Sequence, residues 1–227
     1  MKRILHLVPA LALLLGACVD NRSSVQILSR AAPSDPASCK FAAGGESQMG
    51  PGTLDVGFAA DPRALRYSLA VYVNNNLVDP QESSPESVTS SKAWTAVAAK
   101  VRLNPKEYVD QFGASPPLLA ISDENVLPLD GNTIPVGGND VELVDAVSRS
   151  LGTKIAAALG PDATASVILG ITLQGRTADG ARVDTGEWYF PIDVCSGCLA
   201  APACAPPAVA VPGSCFNVGQ DSAGTCQ

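Results

Sequence analysis

The chain has 227 residues, of which 46% are hydrophobic and 16% charged, and its formal net charge is −7. This acidic balance argues against nucleic acid as a partner, because proteins hold phosphates through lysine and arginine. The single histidine is at position 6, so the rest of the chain lacks the base of Ser-His-Asp and Cys-His catalysis and the commonest ligand of catalytic zinc.

The N-terminus has the pattern of an export signal. Lys2 and Arg3 precede an apolar run from Ile4 to Leu15. A membrane-spanning helix needs about 20 apolar residues, so this run is too short to span and instead fits the apolar region of a signal peptide. We therefore expect residues 1–17 to be a signal peptide.

The signal ends in a motif that points to lipid attachment. Leu13-Leu-Leu-Gly-Ala-Cys18 resembles the lipobox of bacterial lipoproteins, which implies cleavage before Cys18 and lipidation of its sulfur. Asp20 does not directly follow the cysteine, so we expect a cell-envelope protein anchored in the outer membrane. The alternative is an ordinary signal peptide, with Cys18 an incidental thiol.

The next segment, residues 18–52, is rich in Ser, Ala, Gly and Pro. This composition predicts a lipidated N-terminus followed by a flexible tether. Loss of Lys2 and Arg3 leaves 13 basic against 22 acidic residues, a net charge of −9. Such an acidic surface argues against electrostatic binding to anionic lipid. The lipid on Cys18 is therefore the expected link to the membrane.

Residues 53–194 show the period-two alternation of half-buried strands. We expect strands at Thr53–Phe58, Leu65–Asn74, Trp94–Leu103, Thr133–Val136, Val141–Val144, Ser166–Arg176 and Glu187–Val194. In the third of these, Val97, Val101 and Leu103 are expected on one face. Ala178-Asp-Gly180 predicts the hairpin turn between the last two strands, and Pro191 predicts an edge or the end of a ladder.

One helix interrupts this pattern. Apolar residues spaced by threes and fours predict a helix over Asp145–Leu159, ended by Gly160-Pro161. From Glu107 to Asp130 the prolines forbid a long helix. The fold class we predict is mainly β, an immunoglobulin-like β-sandwich with one short helix and a disulfide-rich irregular C-terminal tail.

The tail, residues 195–227, is rich in cysteine. An even number of cysteines in an exported chain indicates disulfides, and we expect three bonds among Cys39, Cys195, Cys198, Cys204, Cys215 and Cys226. The sequence does not choose among the 15 pairings. Because five of the six lie in the tail, at least one of these five should pair with Cys39 and join the start of the domain to its end.

Cys195-Ser-Gly-Cys198 admits two sharper interpretations. A redox pair is expected at a helix N-terminus, and Leu-Ala-Ala-Pro after Cys198 starts no convincing helix. A four-thiolate zinc site needs a second pair, and the later cysteines have the wrong spacing. We therefore predict no metal, no cofactor and no catalytic residue.

Other candidate groups are weaker. Two carboxylates could flank a sugar bond, but the spacing selects no pair from Asp123, Glu124, Asp130, Asp184, Glu187 and Asp193. Trp94 and Trp188 could form a platform for sugar, although core positions are the usual place for tryptophan on a strand. Asp130-Gly-Asn132 lacks the rest of a calcium loop and predicts a turn.

The C-terminal motifs carry a resemblance. Gly186-Glu-Trp-Tyr-Phe-Pro-Ile-Asp-Val-Cys195-Ser-Gly-Cys198-Leu, together with Gly219-Gln-Asp221 and the lipobox, is similar to lipoproteins of myxobacteria and related high-GC bacteria that have no assigned activity. The resemblance implies one functional residue, the lipidated Cys18.

These features predict a lipid-anchored cell-envelope protein with a structural or binding role, in contact with an envelope protein or a polysaccharide. The alternative is a histidine-free enzyme. It would be either a two-carboxylate glycan hydrolase or a thiol–disulfide exchanger that uses Cys195 and Cys198.

Overall fold

The computed structural model describes residues 24–35, 38–61, 64–78, 90–112, 121, 123–161, 163–199, 210–211, 215–217, 219–221 and 225–226. The signal, Cys18 and Cys204 lie outside these residues. The helices are α1 (Lys106–Phe112) and α2 (Arg149–Leu159), with a 3-10 turn at Val56–Phe58. The strands are β1 (Val25–Ala31), β2 (Ser47–Gln48), β3 (Gly52–Asp55), β4 (Tyr67–Asn75), β5 (Trp94–Leu103), β6 (Asp123–Pro128), β7 (Thr133–Ile134), β8 (Asn139–Val147), β9 (Thr164–Thr177), β10 (Arg182–Asp184), β11 (Trp188–Cys195), β12 (Ala210–Val211) and β13 (Thr225–Cys226).

The strands form two main sheets, as the mainly β prediction required. One has the order β2-β1-β4-β8 and is antiparallel throughout. The other has the order β3-β11-β9-β5-β6, with β10 on β9 and β7 on β5. In this second sheet β3 and β11 are parallel. The short strands β12 and β13 pair with each other.

Both main sheets contribute to one hydrophobic core. Alternate residues of β4 and β9 are fully buried in it, namely Leu69, Val71, Val73, Val167, Leu169, Ile171 and Leu173. Their burial confirms the period-two prediction for these two strands. Removal of this apolar surface from water is the main stabilising term of the fold, at about 25 cal/mol per Å².

The helices differ from the prediction of a single one. α2 begins at Arg149 because Ser148 caps it, accepting a 3.3 Å hydrogen bond from the backbone N–H of Leu151. The preceding residues Asp145–Val147 are the end of β8, so the predicted start was wrong. α1 is an additional helix that the sequence did not predict, and it begins directly after Pro105. Neither described helix is long and apolar enough to cross a membrane.

The face predicted for Val97 was wrong, because β5 contains a bulge. The register of β5 against β9 shifts between Ala96 and Ala98, and the extra residue reverses the side of the sheet on which Val97 lies. Val97 is therefore 43% exposed, while Val101 and Leu103 are buried. The periodicity of the sequence does not reveal a one-residue insertion.

The predicted hairpin turn is present, but it leads from β9 into the short strand β10, which pairs with β9 before β11 does. Gly180 has a φ of +87° in the turn after β9, the conformation that glycine adopts at no steric cost. β11 then pairs with β9 as expected. Its pairing with β3 begins at Ile192, one residue after Pro191, so the proline marks the end of a ladder.

The described part of the N-terminal segment, residues 24–35 and 38–52, is folded, which contradicts for these residues the prediction of a flexible tether over residues 18–52. β1 pairs with β4, from Val25 opposite Asn75 to Arg30 opposite Val71. Val25 is fully buried and Ala31 is 2% exposed. Packing against β4 outweighs the polar composition, and β1 is part of the folded domain.

The described part of the tail is docked on the domain. Cys39 and Cys215 form a disulfide with a Cα–Cα distance of 5.2 Å across 176 positions, so one tail cysteine pairs with Cys39 as predicted. Two aromatic residues close to this bond stack, with the rings of Phe41 and Phe216 5.4 Å apart. They cover a second, smaller core that contains Tyr72. The bond joins the two ends of the domain.

Candidate functional site

The Cys195–Cys198 loop lies where two parallel strands end together. Cys195 is the last residue of β11 and pairs with Asp55, the last residue of β3. A disulfide joins Cys195 to Cys198, with a Cα–Cα distance of 5.8 Å. Gly197 has a φ of +83°, so a residue without a side chain allows the chain to turn between the two cysteines.

Asp55 holds this loop in place through hydrogen bonds. Its side chain is fully buried, and its Oδ1 accepts hydrogen bonds of 2.7 Å from Gly57 N–H and 2.8 Å from Gly197 N–H. Its Oδ2 accepts a 2.6 Å bond from Leu199 N–H. Three backbone donors therefore satisfy the buried carboxylate.

The carboxylate also lies beside both sulfurs. One oxygen of Asp55 and the two Sγ atoms lie within 4.8 Å of one another, the arrangement of a possible metal-binding group among the described residues. Cys195 is 3% exposed, whereas Cys198 is exposed. In the disulfide form the sulfurs are neutral, and the loop acts as a crosslink.

A second buried polar group closes the same end of the domain. Gln220 is fully buried. It donates a 2.7 Å hydrogen bond to Ser68 O and accepts a 3.0 Å bond from Ser68 N–H. Its neighbour Asp221 accepts from Thr53 N–H at 2.9 Å and from the Tyr67 hydroxyl at 2.8 Å. Asp221 also pairs with Arg30.

These bonds connect the tail to both sheets, since Ser68 and Tyr67 belong to β4 and Thr53 to β3. Burial first, and then the charge of Asp221, raise the pKa of Tyr67 well above its ordinary value. The phenol therefore stays protonated and donates. Sequence reasoning named Gly219-Gln-Asp221 only as part of a resemblance and missed its role.

The predicted carboxylates gather only in part. Asp123 and Glu124 line a cavity of about 440 Å³ together with Arg102 and Glu107. Arg102 pairs with Glu107 and also with Glu187, whose Oε1 accepts from Arg102 Nε at 2.6 Å. A hydrogen bond from its own backbone N–H and the Arg102 guanidinium lower the pKa of Glu107.

The remaining carboxylates lie apart from this cavity. Asp184 pairs with Arg182 at 2.8 Å, and Asp193 accepts a 2.6 Å hydrogen bond from Ser166. Neither belongs to the cavity lining. The turn predicted at Asp130-Gly-Asn132 is not formed, because this segment joins β6 to β7, which both run antiparallel to β5. Asn132 N–H donates a 3.0 Å hydrogen bond to Glu142.

Glu142 is a buried acid that sequence reasoning missed. It lies in β8 and is 3% exposed. Burial raises its pKa to about 7, and the charge of Asp140 adds to this, while the hydrogen bond from Asn132 opposes it. Its place in an alternating strand gave no signal, because a glutamate among apolar residues usually indicates a solvent face.

The tryptophans do not form the sugar platform that the sequence allowed. Trp94 is fully buried, and its Nε1–H donates to Val183 O at 2.9 Å. Trp188 is half-buried and stacks on Phe190 at 5.3 Å. Trp94 is therefore a core residue, as is usual for a large aromatic on a strand.

The predicted cysteines divide into three groups. Cys39, Cys195, Cys198 and Cys215 form the two disulfides of the described residues. Cys226 lies in β13, and Cys18 and Cys204 lie outside the described residues. Comparisons of the chain with protein families, curated proteins and solved structures find no match.

Proposed function

We propose that this chain is a lipid-anchored cell-envelope protein with a structural or binding role, held at the outer membrane by lipid on Cys18. The observation that carries the proposal is the Cys39–Cys215 disulfide, which ties the tail to the N-terminal segment. Disulfides persist in exported proteins and are rare in the cytosol. The bond therefore supports the export signal read from residues 1–17.

The start of the fold supports a short anchor. Val25, the first residue of β1, is only seven positions after Cys18. Seven extended residues reach about 25 Å at most. A domain held so close to a bilayer has one end at the membrane and one end free for partners.

The pairing of β1 supports an assignment of these two ends. Val25 lies beside Asn75, so the end of the domain that contains Asn75 faces the membrane. At the other end of β1, Arg30 pairs with Asp221, close to the Cys195–Cys198 loop. This free end is the surface we assign to an envelope protein or a polysaccharide. We also propose that the two sheets form an immunoglobulin-like sandwich.

The enzymatic alternatives have less support. A glycan hydrolase needs a carboxylic acid with a raised pKa beside a second carboxylate. The carboxylates at the cavity are instead paired with cations: Glu107 with Arg102, Glu124 with Lys100 and Asp123 with Lys154. Each of these three carboxylates therefore has a cation as its partner.

The exchanger alternative meets a different obstacle. Exchange needs a thiol whose pKa is low enough to form thiolate. The Asp55 carboxylate beside Cys195 and Cys198 disfavours a second negative charge there. A structural crosslink agrees better with this environment.

Cell fractionation tests the proposal. Wild-type protein should sediment with membranes and need detergent for release, whereas Cys18→Ala should not be acylated. Cys198→Ser is the matched control, since it removes a cysteine without touching the anchor. Wild-type protein released by salt alone, or Cys18→Ala still requiring detergent, would refute lipid anchoring at this residue.

A further inference from the structure

The geometry points to a zinc site: Asp55, Cys195 and Cys198 together bind Zn²⁺ once their disulfide is reduced. The inference does not depend on lipid anchoring or on a binding role. It rests on one carboxylate oxygen and two sulfurs that lie within 4.8 Å of one another at the ends of β3 and β11.

The donor atoms suit zinc. Thiolate sulfur and carboxylate oxygen are both common zinc ligands, and soft thiolates favour Zn²⁺ over Mg²⁺ or Ca²⁺. With both thiols ionised the group would hold three negative charges in a small space. A divalent cation offsets the repulsion among these charges. In the disulfide the repulsion does not arise, because the two bonded sulfurs are neutral.

Backbone donors from the 3-10 turn and from the loop itself hold the oxygen ligand. Gly57 N–H, from the 3-10 turn, donates to Asp55 at 2.7 Å. Gly197 and Leu199 in the loop donate at 2.8 Å and 2.6 Å. An ionised carboxylate has about four lone-pair sites, so three hydrogen bonds leave one for a metal.

The position of the loop allows a metal to enter. Cys195 is 3% exposed and Cys198 is exposed, so the group is open to solvent on one side. Zinc is usually tetrahedral, and three protein ligands leave a fourth position for water.

The chemistry requires a reductant before the metal. A dithiol gives up two electrons and two protons and becomes a disulfide, while the Cys195–Cys198 bond breaks to yield two thiols. Zn²⁺ then replaces the two thiol protons, which pass to solvent, and forms two Zn–S bonds.

The experiment titrates Co²⁺ into the purified full chain, oxidised or reduced with a phosphine that does not compete as a thiolate ligand. Sulfur-to-cobalt charge-transfer absorption reports thiolate binding, and Zn²⁺ should displace the Co²⁺. We expect one equivalent in the reduced protein and no thiolate-bound Co²⁺ at this loop in the oxidised protein.

Variants assign the ligands. Cys198→Ser and Asp55→Asn should each weaken Co²⁺ binding by more than about 100-fold, because loss of an outer-shell partner alone costs about 10- to 100-fold. Asp193→Asn, an exposed carboxylate on the same strand, is the matched control and should bind as wild type. The double variant Cys195→Ser/Cys198→Ser, which keeps the other cysteines, should lose the equivalent.

Three outcomes overturn the inference: reduced wild type without charge-transfer absorption, a double variant that binds Co²⁺ as tightly as wild type, or Asp55→Asn that binds Co²⁺ as tightly as wild type. If reduction unfolds the protein, the experiment still tests the inference, because a metal that binds the proposed site restores folding. Near-UV circular dichroism of the buried Trp94 reports that state.

Discussion

The hydroxyl of Tyr67 donates a 2.8 Å hydrogen bond to Oδ1 of Asp221, across 154 positions of the chain. Asp221 also pairs with Arg30 of β1 and accepts from the backbone of Thr53 in β3. One tail residue thus connects strands from both sheets. The C-terminal tail is therefore part of the folded domain.

Loss of this carboxylate should destabilise the domain. In Asp221→Ala the buried Tyr67 hydroxyl loses its acceptor and the partly buried Arg30 its ion-pair partner, which we expect to cost about 3 kcal/mol in the free energy of unfolding. Urea unfolding measures this. Asp193→Ala, at an exposed site, should stay within about 0.5 kcal/mol of wild type; equal losses in both would show that Asp221 makes no special contribution.

The two disulfides should differ in their contributions. Cys39–Cys215 closes a loop of 176 positions and Cys195–Cys198 a loop of three. From chain entropy, Cys39→Ser/Cys215→Ser should lose about 5 kcal/mol and Cys195→Ser/Cys198→Ser about 2 kcal/mol. Thermal and urea unfolding of both double variants, side by side, measure the difference. A larger loss from the short loop would contradict the role we give to the long one.

Glu142 should make stability depend on pH. Its folded pKa of about 7 exceeds its ordinary value of 4.5, so the folded state binds the proton more tightly than the unfolded state. The stabilisation is present at low pH and is lost as pH rises from about 4.5 through 7. Between pH 5 and 8 the loss should be roughly 2 kcal/mol.

Glu142→Gln tests this dependence. Glutamine keeps the acceptor for Asn132 N–H but does not ionise, so the variant should gain stability over wild type above pH 7 and show a flatter profile. Urea unfolding at several pH values measures it. Glu46→Gln, at an exposed glutamate, is the control and should follow wild type. A Glu142→Gln profile as steep as that of wild type would assign the dependence to other groups.

The orientation at the membrane can be measured by energy transfer. Met49 is 93% exposed near the end of β1 that carries Arg30, and Val78 is 77% exposed beyond Asn75. A donor dye at residue 78 should transfer more energy to acceptor dyes in the bilayer than the same dye at residue 49. Equal transfer from both positions would contradict the proposed orientation.

The sequence predicted the core strands but not the groups that join them. Alternation in β4 and β9 predicts which side chains are buried, because successive side chains of a single strand point to opposite faces of the sheet. The bulge at Val97 breaks that rule by one residue. The sequence did not predict the strand at Val25, because its alternation is weak and polar residues surround it, and its stability comes from β4, more than forty positions away.

The polar groups were beyond sequence reasoning for a related reason. Asp55 becomes significant only because Gly197 and Leu199, over 140 positions later, donate to it. Asp221 and Gln220 depend in the same way on Tyr67 and Ser68. Spacing along the chain does not predict such contacts. The pairing of Cys39 with a tail cysteine, by contrast, followed from the number of cysteines in the tail.

Mass spectrometry of the native protein, purified from membranes without reductant, tests the central claim most directly. The account predicts a chain that begins at Cys18 with lipid attached, and peptides linked by Cys39–Cys215 and Cys195–Cys198. A chain that still begins at Met1, carries no lipid and has Cys39 and Cys215 as free thiols would contradict it.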